Sequence, residues 1–447
     1  MEDPVGWFDS VEHVRWLSKQ MQALIAEAEG AIVPTGFAHL TKSGEQDPTR
    51  PIDLAVTSRM LYVFSLGTLM GLPGSRRYAD HAVKCLRKYY SDPVHGGMWT
   101  SIKAQPDENE HGVPWDDHGR LKSQFHQAFM ILGAAAATVA DRPGAHELLN
   151  DALHEQERHW LSANGLVHDE YDEAFETPAA FHSLGTLFHT AEAYLAAAEA
   201  TADPVWIERA EAMTAFVYRN AVENNWRPPE YYGAEWEPLK EAPESPRDGR
   251  SNYVGYVVGH SLQWSRLALH VRAALRSLGR SQPDYLLEMA QELFERARVD
   301  AWRRNGHAGF ATTVDDRGEP LNDQHRQWTV CEGICATVAI RRALLDDGGH
   351  AGDVEHFEHC YRSWLDYVND YLISRPGRWR RALGAENETL SEETASRWDV
   401  YHALQTTLIP RVPLWPPFAS AISRGLLDKP EEPEPDRKSW NFFRFGK

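Results

Sequence analysis

Cysteine is scarce in this chain: Cys85, Cys331, Cys335 and Cys360 are the four in 447 residues. So few thiols exclude a disulfide framework and point to a reducing compartment. Cys331 and Cys335 stand one helical turn apart, but no further Cys or His falls at finger-like spacing, so they read as small buried hydrophobes rather than a metal pair. Long apolar runs are missing too. No stretch approaches 18 uncharged residues, which predicts no membrane span. The opening MEDPVGWFDS lacks the basic and apolar regions of a secretory signal. These absences together predict a cytoplasmic protein with no membrane partner. Positive charge is in deficit as well: 46 Lys and Arg against 65 Asp and Glu leave a net charge of −19 and no basic stripe, which argues against nucleic acid. No G-x-S-x-G, P-loop, G-x-G-x-x-G or H-E-x-x-H occurs, removing the commonest nucleophile, nucleotide and zinc mechanisms.

What is present is material for a large core, with 42% apolar residues and sixteen tryptophans. Residues 7–30 read as an amphipathic helix, and from about residue 53 helical windows alternate with loops to a final short helix near 417–425. A polar group recurs inside otherwise apolar windows: Arg59, His126, His189, His260, Glu332 and His402, separated by 67, 63, 71, 72 and 70 residues. That period holds two helices and two loops, so the chain reads as an internal repeat. Five helical hairpins, with elements from both ends completing a sixth, predict an all-α ring of six hairpins. The ring spans residues 1–428 as one domain, and the Pro- and charge-rich tail 429–447 is expected to be poorly ordered. A closed ring is favoured because neither end resembles the polar capping repeat an open solenoid requires. The long loops, rich in acidic, aromatic and Gly residues, each precede one of the marked positions, and a ring would gather them at one mouth.

Such a cavity, lined by Trp, Tyr and Phe alternating with hydrogen-bonding groups, suits a sugar, whose C–H faces stack and whose hydroxyls need paired donors and acceptors. A single histidine on an apolar helix is usually a satisfied core residue. Three at repeat-related positions, His189, His260 and His402, point instead to proton transfer near neutral pH. Each is followed three residues later by a polar side chain, Glu192, Gln263 or Gln405, placed to fix its tautomer. The acidic run Asp169-Glu170-Tyr171-Asp172-Glu173 invites comparison with a Mg²⁺-binding segment, but no second metal motif accompanies it. It reads better as a loop that caps helices or meets sugar hydroxyls. Asp116-Asp117 reads as a solvated loop pair.

Several stretches together resemble the N-acylglucosamine 2-epimerase superfamily, and within it the aldose–ketose isomerase branch of mannose and sulfoquinovose isomerases. They are VPTGFAHL (33–40), TSRMLYVFS (57–65), HGGMW (95–99), EYDEAF (170–175), FHTAEA (188–193), PEYYGAEWEP (229–238), VGHSLQWSRLALH (258–270), WTVCEG (328–333), DVYHALQTTLIPR (399–411) and GLLD (425–428). The resemblance covers Trp7 to Leu427 and implies an (α/α)6 barrel. It implies an active site of Arg59, His189, His260, Glu332 and His402 lined by Trp328 and Glu230, needing no metal or cofactor. The implied reaction opens an aldose ring, moves a proton from C2 to C1 through a cis-enediol and yields the ketose, with D-mannose to D-fructose the first choice. By the same resemblance His402 is the C2/C1 shuttle and His260 the acid/base for ring opening or the opposite sugar face. His189 and Arg59 then hold O1 to O3. Two departures stand out: Gln263 occupies a position usually held by Glu, and Trp398 stands where the sulfoquinovose enzyme carries a glutamine, whereas Arg250 matches a basic residue of its sulfonate site. A sulfoquinovose isomerase, a sugar 2-epimerase, a non-catalytic sugar-binding ring and an (α/α)6 glycosidase or lyase using carboxylates such as Asp172 and Glu332 are the alternatives.

Overall fold

A computed structural model describes residues 6–243, 253–391 and 400–429. The predicted tail therefore lies almost wholly outside the described residues, and Arg250 and Trp398 do as well. Thirteen α-helices run through the described chain. In order they are α1 (Val11–Ala28), α2 (Leu54–Leu69), α3 (Ser75–Tyr89), α4 (Gln124–Val139), α5 (Ala145–Glu155), α6 (Leu184–Thr201) and α7 (Val205–Glu223). They continue with α8 (Val258–Ser277), α9 (Tyr285–Ala301), α10 (Gln327–Asp346), α11 (Ala351–Tyr367), α12 (Tyr401–Leu408) and α13 (Phe418–Ser423).

Burial sorts these helices into two layers. In α2, 14 of 16 residues are buried, and in α8, 16 of 20, as expected of helices enclosed on nearly every side. Their partners α3 and α9 bury only one stripe, 8 of 15 and 8 of 17. Helices α2, α4, α6, α8, α10 and α12 pack in sequence as the inner wall, and α12 packs back on α2, which closes the ring. The sixth hairpin is assembled from both ends of the chain, α12 inside and α1 outside it. This is the (α/α)6 barrel anticipated from the repeat. Ala-rich stretches such as Ala134–Ala137 of α4 are buried to 2% exposure or less and let neighbouring inner helices approach closely.

The turns at the far end repeat in sequence and geometry. Gly71-Leu72-Pro73-Gly74 joins α2 to α3 and Asp141-Arg142-Pro143-Gly144 joins α4 to α5; Gly74 and Gly144 sit at φ 90° and 77°, values favouring glycine. At the other end, a two- or three-residue strand enters each of five inner helices and pairs antiparallel with a strand returning from the outer helix. The registers are Ile52↔Ile102, Lys122↔Tyr171, Ser183↔Tyr231, Val257↔Thr313 and His325↔Leu383. The first amide of each helix then donates to the carbonyl preceding its partner strand: Leu54 to Thr100, Gln124 to Asp169, Leu184 to Glu230, Val258 to Thr312 and Gln327 to Arg381. These bonds satisfy an otherwise orphaned helix N–H and tie the long loops to the mouth. No helix among the described residues is long and apolar enough to cross a membrane.

Candidate active site

The first two turns of the inner helices line a cavity of about 160 Å³ at this mouth, room for roughly ten water-sized positions. It brings together Arg59, His189, Glu230, His260, Gln263, Trp328 and His402. Glu332 does not line it. That carboxylate is 1% exposed and lies behind His402. The fully buried Phe129 and Tyr401 support the cavity from behind, and Phe125, Phe181, Tyr253 and Trp379 add aromatic lining that the repeat count alone did not single out.

The marked positions are not equivalent in depth, which corrects the expectation of three matching histidines. His260 is the third residue of α8 and His402 the second of α12, whereas His189 is the sixth of α6, level with Arg59 in α2, Gln263 in α8 and Glu332 in α10. Three or four residues of helix separate the tiers, about 4.5–6 Å along the axis. His126, third in α4, does not line the cavity; its Nε2 lies 3.4 Å from Oδ2 of Asp53, the residue capping α2.

The polar residue three positions on does not fix the ring at His260 or His402, a second correction. His260 Nδ1 bonds Glu230 Oε2 at 2.7 Å and His402 Nδ1 bonds Glu332 Oε1 at 2.8 Å. The partners come from other elements instead: Glu230 reaches His260 from the loop before its strand, and Glu332 reaches His402 from the neighbouring helix α10. With a carboxylate accepting at Nδ1, each neutral imidazole carries its proton there and keeps Nε2 as the acceptor. At His189 the i+3 partner is near but loose, with Nδ1 3.9 Å from Glu192 Oε2. Burial pushes the His189 imidazole down to about 4 against the opposing pull of Glu192, so this ring is neutral near neutral pH.

Gln263 and Gln405 serve the layer beneath. Gln263 Nε2 lies 3.5 Å from Glu332 Oε1, and Gln405 Nε2 donates to Glu192 Oε1 at 3.3 Å. Burial opposes ionisation of Glu332, but Arg266 and then His402 outweigh it and hold the carboxyl below its ordinary range. Arg59 and His189 form the facing wall: the Arg59 guanidinium lies 4.0 Å from the Phe129 ring centre and the His189 ring 4.4 Å from the same ring. Trp328 stands between the other two imidazoles, 5.2 Å from His260 and 6.0 Å from His402. Two helical glycines make room: a Cβ on Gly185 would meet His260 Cε1 at 2.9 Å, and one on Gly259 would meet Trp328 at 2.2 Å.

The acidic run is structural. Asp169 is buried and accepts the Thr186 hydroxyl, while Asp172 accepts the amides of Glu176 and Thr177 and closes its own loop. Among the described residues, no group of three or more His, Cys, Asp or Glu is arranged to hold a metal. All four cysteines are free and buried.

The barrel thus gathers two carboxylate-backed histidines at the mouth of a ring of six helical hairpins. The N-acylglucosamine 2-epimerase family model matches residues 36–406, and the chain belongs to that family. It is 33% identical over 425 residues to a D-mannose isomerase of Thermobifida fusca, covering 93% of this chain and 98% of that one. A D-mannose isomerase of Pseudomonas cannabina pv. alisalensis is 31% identical over 423 residues, with 94% and 97% covered. A crystal structure of a D-mannose isomerase superposes with a TM-score of 0.76 at 19% identity, covering 90% of this chain and 98% of that chain. The chain is accordingly an enzyme of the sugar isomerase and epimerase class.

Proposed function

We propose that this enzyme interconverts D-mannose and D-fructose without a cofactor, by histidine-mediated proton transfer through a cis-enediol. The observation that carries the reading is the pair of cavity-lining imidazoles, each held at Nδ1 by a carboxylate, at 2.7 Å for His260 and 2.8 Å for His402. Each offers Nε2 to a substrate, and the carboxylate behind it balances charge when that nitrogen takes up a proton.

In this scheme His260, backed by Glu230, opens the sugar ring by moving a proton between O1 and the ring oxygen. His402 Nε2 then takes the proton from C2 and returns it to C1, while the O2 hydroxyl proton passes to O1. Carbon and oxygen protons balance, and the aldehyde becomes a ketone at C2. Arg59, a fixed cation, and His189, neutral at working pH, face the oxygens where enediolate charge develops and stabilise it. Trp328 supplies a flat face for the sugar's C–H surface. A monosaccharide substrate and a cytoplasmic setting go with this reading; four unpaired thiols support the latter.

The same two imidazoles also suit a 2-epimerase, in which one ring takes the C2 proton and another returns it to the opposite face. Incubation with D-mannose in D₂O separates the two. Fructose carrying deuterium at C1 is the expected product, and glucose with deuterium at C2 and no fructose would replace the isomerase reading by the epimerase one.

A further inference from the structure

Beneath the cavity floor lies a buried charge cluster whose centre, Arg266, was not among the residues singled out from the sequence. Arg266 Nη2 donates to Glu192 Oε1 at 3.0 Å and its Nε to Glu332 Oε2 at 3.1 Å. Its side chain is 4% exposed, and the two carboxylate side chains are 11% and 1% exposed. Each carboxylate in turn serves the reacting layer. Glu332 accepts from His402 Nδ1, and Glu192 lies 3.9 Å below His189 Nδ1 while accepting the Tyr401 hydroxyl at 2.5 Å and the Gln405 amide. Arg266 itself does not line the upper cavity. From below, it and Glu192 border a second cavity of about 50 Å³, with Tyr62, His270 and Gln405. The His270 ring gives no compensating charge there: burial pushes it down to about 4, and its Nδ1 bonds the Leu414 carbonyl.

Two carboxylates that bond the same buried side chain repel one another, and burial opposes the ionisation of each unless a cation stands between them. Arg266 is that cation, and its planar fork lets one guanidinium bond both at once, Nε to one carboxylate and Nη2 to the other. We propose that Arg266 is a positioning residue for the proton-transfer step: it keeps Glu192 and Glu332 ionised and in place beneath His189 and His402 while touching neither imidazole. The carboxylates' behaviour agrees, since burial opposes ionisation of both, yet Arg266 is the largest influence holding each below its ordinary range.

This inference rests on the proton-transfer reading of the site, and its test separates the two. In Arg266→Met the cluster has one excess negative charge. kcat is expected to fall at least 100-fold with KM changed less than about threefold. Carboxyl ¹³C signals should show one of the two glutamates taking up a proton at a pH where both are ionised in the unaltered enzyme. Arg266→Met/Glu192→Gln restores the charge count and should recover at least tenfold of the lost kcat, a rescue that loss of packing alone would not give. It also serves if the single variant does not fold. Turnover of R266M within threefold of the parent, two glutamates still ionised in it, or a double variant no better than the single would each overturn the proposal. A parent enzyme inactive on mannose would sink the substrate reading alone, because the carboxyl signals still decide the role of Arg266.

Discussion

The two walls of the cavity use the same side chain differently. On one, His260 and His402 each present an imidazole with a carboxylate at hydrogen-bonding distance, flanking the indole of Trp328. On the other, His189 has its carboxylate at 3.9 Å, lies against Phe125 and Phe129 beside Arg59, and is held neutral by burial. A histidine's role is thus set less by its own helix than by what meets its Nδ1. A carboxylate there prepares a ring to cycle between neutral and charged forms, and an aromatic cage prepares it to stay neutral.

The largest expected effect breaks this contrast directly. His402→Asn should lower kcat by about 10³-fold or more, the scale of a lost general base, whereas His189→Asn should cost about tenfold and appear partly in KM. Steady-state kinetics on the two variants checks it, and equal losses would erase the distinction between the walls. Next comes the carboxylate behind the ring. Glu230→Gln keeps the shape but not the charge, and about a 10- to 100-fold loss in kcat/KM is expected, as for other groups that orient a reacting histidine. An unchanged rate would mean that Glu230 only holds the loop.

The last contrast is read in acid stability, not in rate. His13, His189 and His270 are each held at about 4, below their ordinary 6.5, chiefly by burial. A histidine depressed in the folded state binds its proton more readily when unfolded, so folding stability is lost as pH falls from 6.5 towards 4. With three such rings the slope reaches at most roughly 4 kcal/mol per pH unit near pH 5. Urea unfolding across that range measures the slope, and His270→Leu should flatten it by about a third. A stability curve level down to pH 4.5 would show these rings charging freely inside the fold.

Much of this was legible in the sequence. The period near 70 residues sets the number of hairpins, because one inner and one outer helix with their two loops fill each interval. Helix ends came within a few residues: windows near 53–71 and 399–409 became Leu54–Leu69 and Tyr401–Leu408. The cavity residues Arg59, His189, His260 and His402 were recognisable as polar groups breaking apolar runs, while Trp328 and Glu230 were implied only by the family resemblance. The pairings were not. Spacing along one helix favoured Gln263 and Gln405 as the partners of His260 and His402, yet the actual partners stand 30 and 70 positions away. Arg266 carried a usable signal, a cation in the buried part of α8, but nothing local marks the two carboxylates it joins.

Sequence alone determined the ring, its six-fold count and the residue types that face its mouth, because periodicity and burial are local consequences of which side chains repeat along the chain. Only tertiary structure decided depth and partnership. The two histidine tiers, the carboxylate at each Nδ1 and the charge balance around Arg266 arise where different hairpins meet, and a hydrogen bond or an ion pair depends on distances between helices that no spacing along one chain specifies.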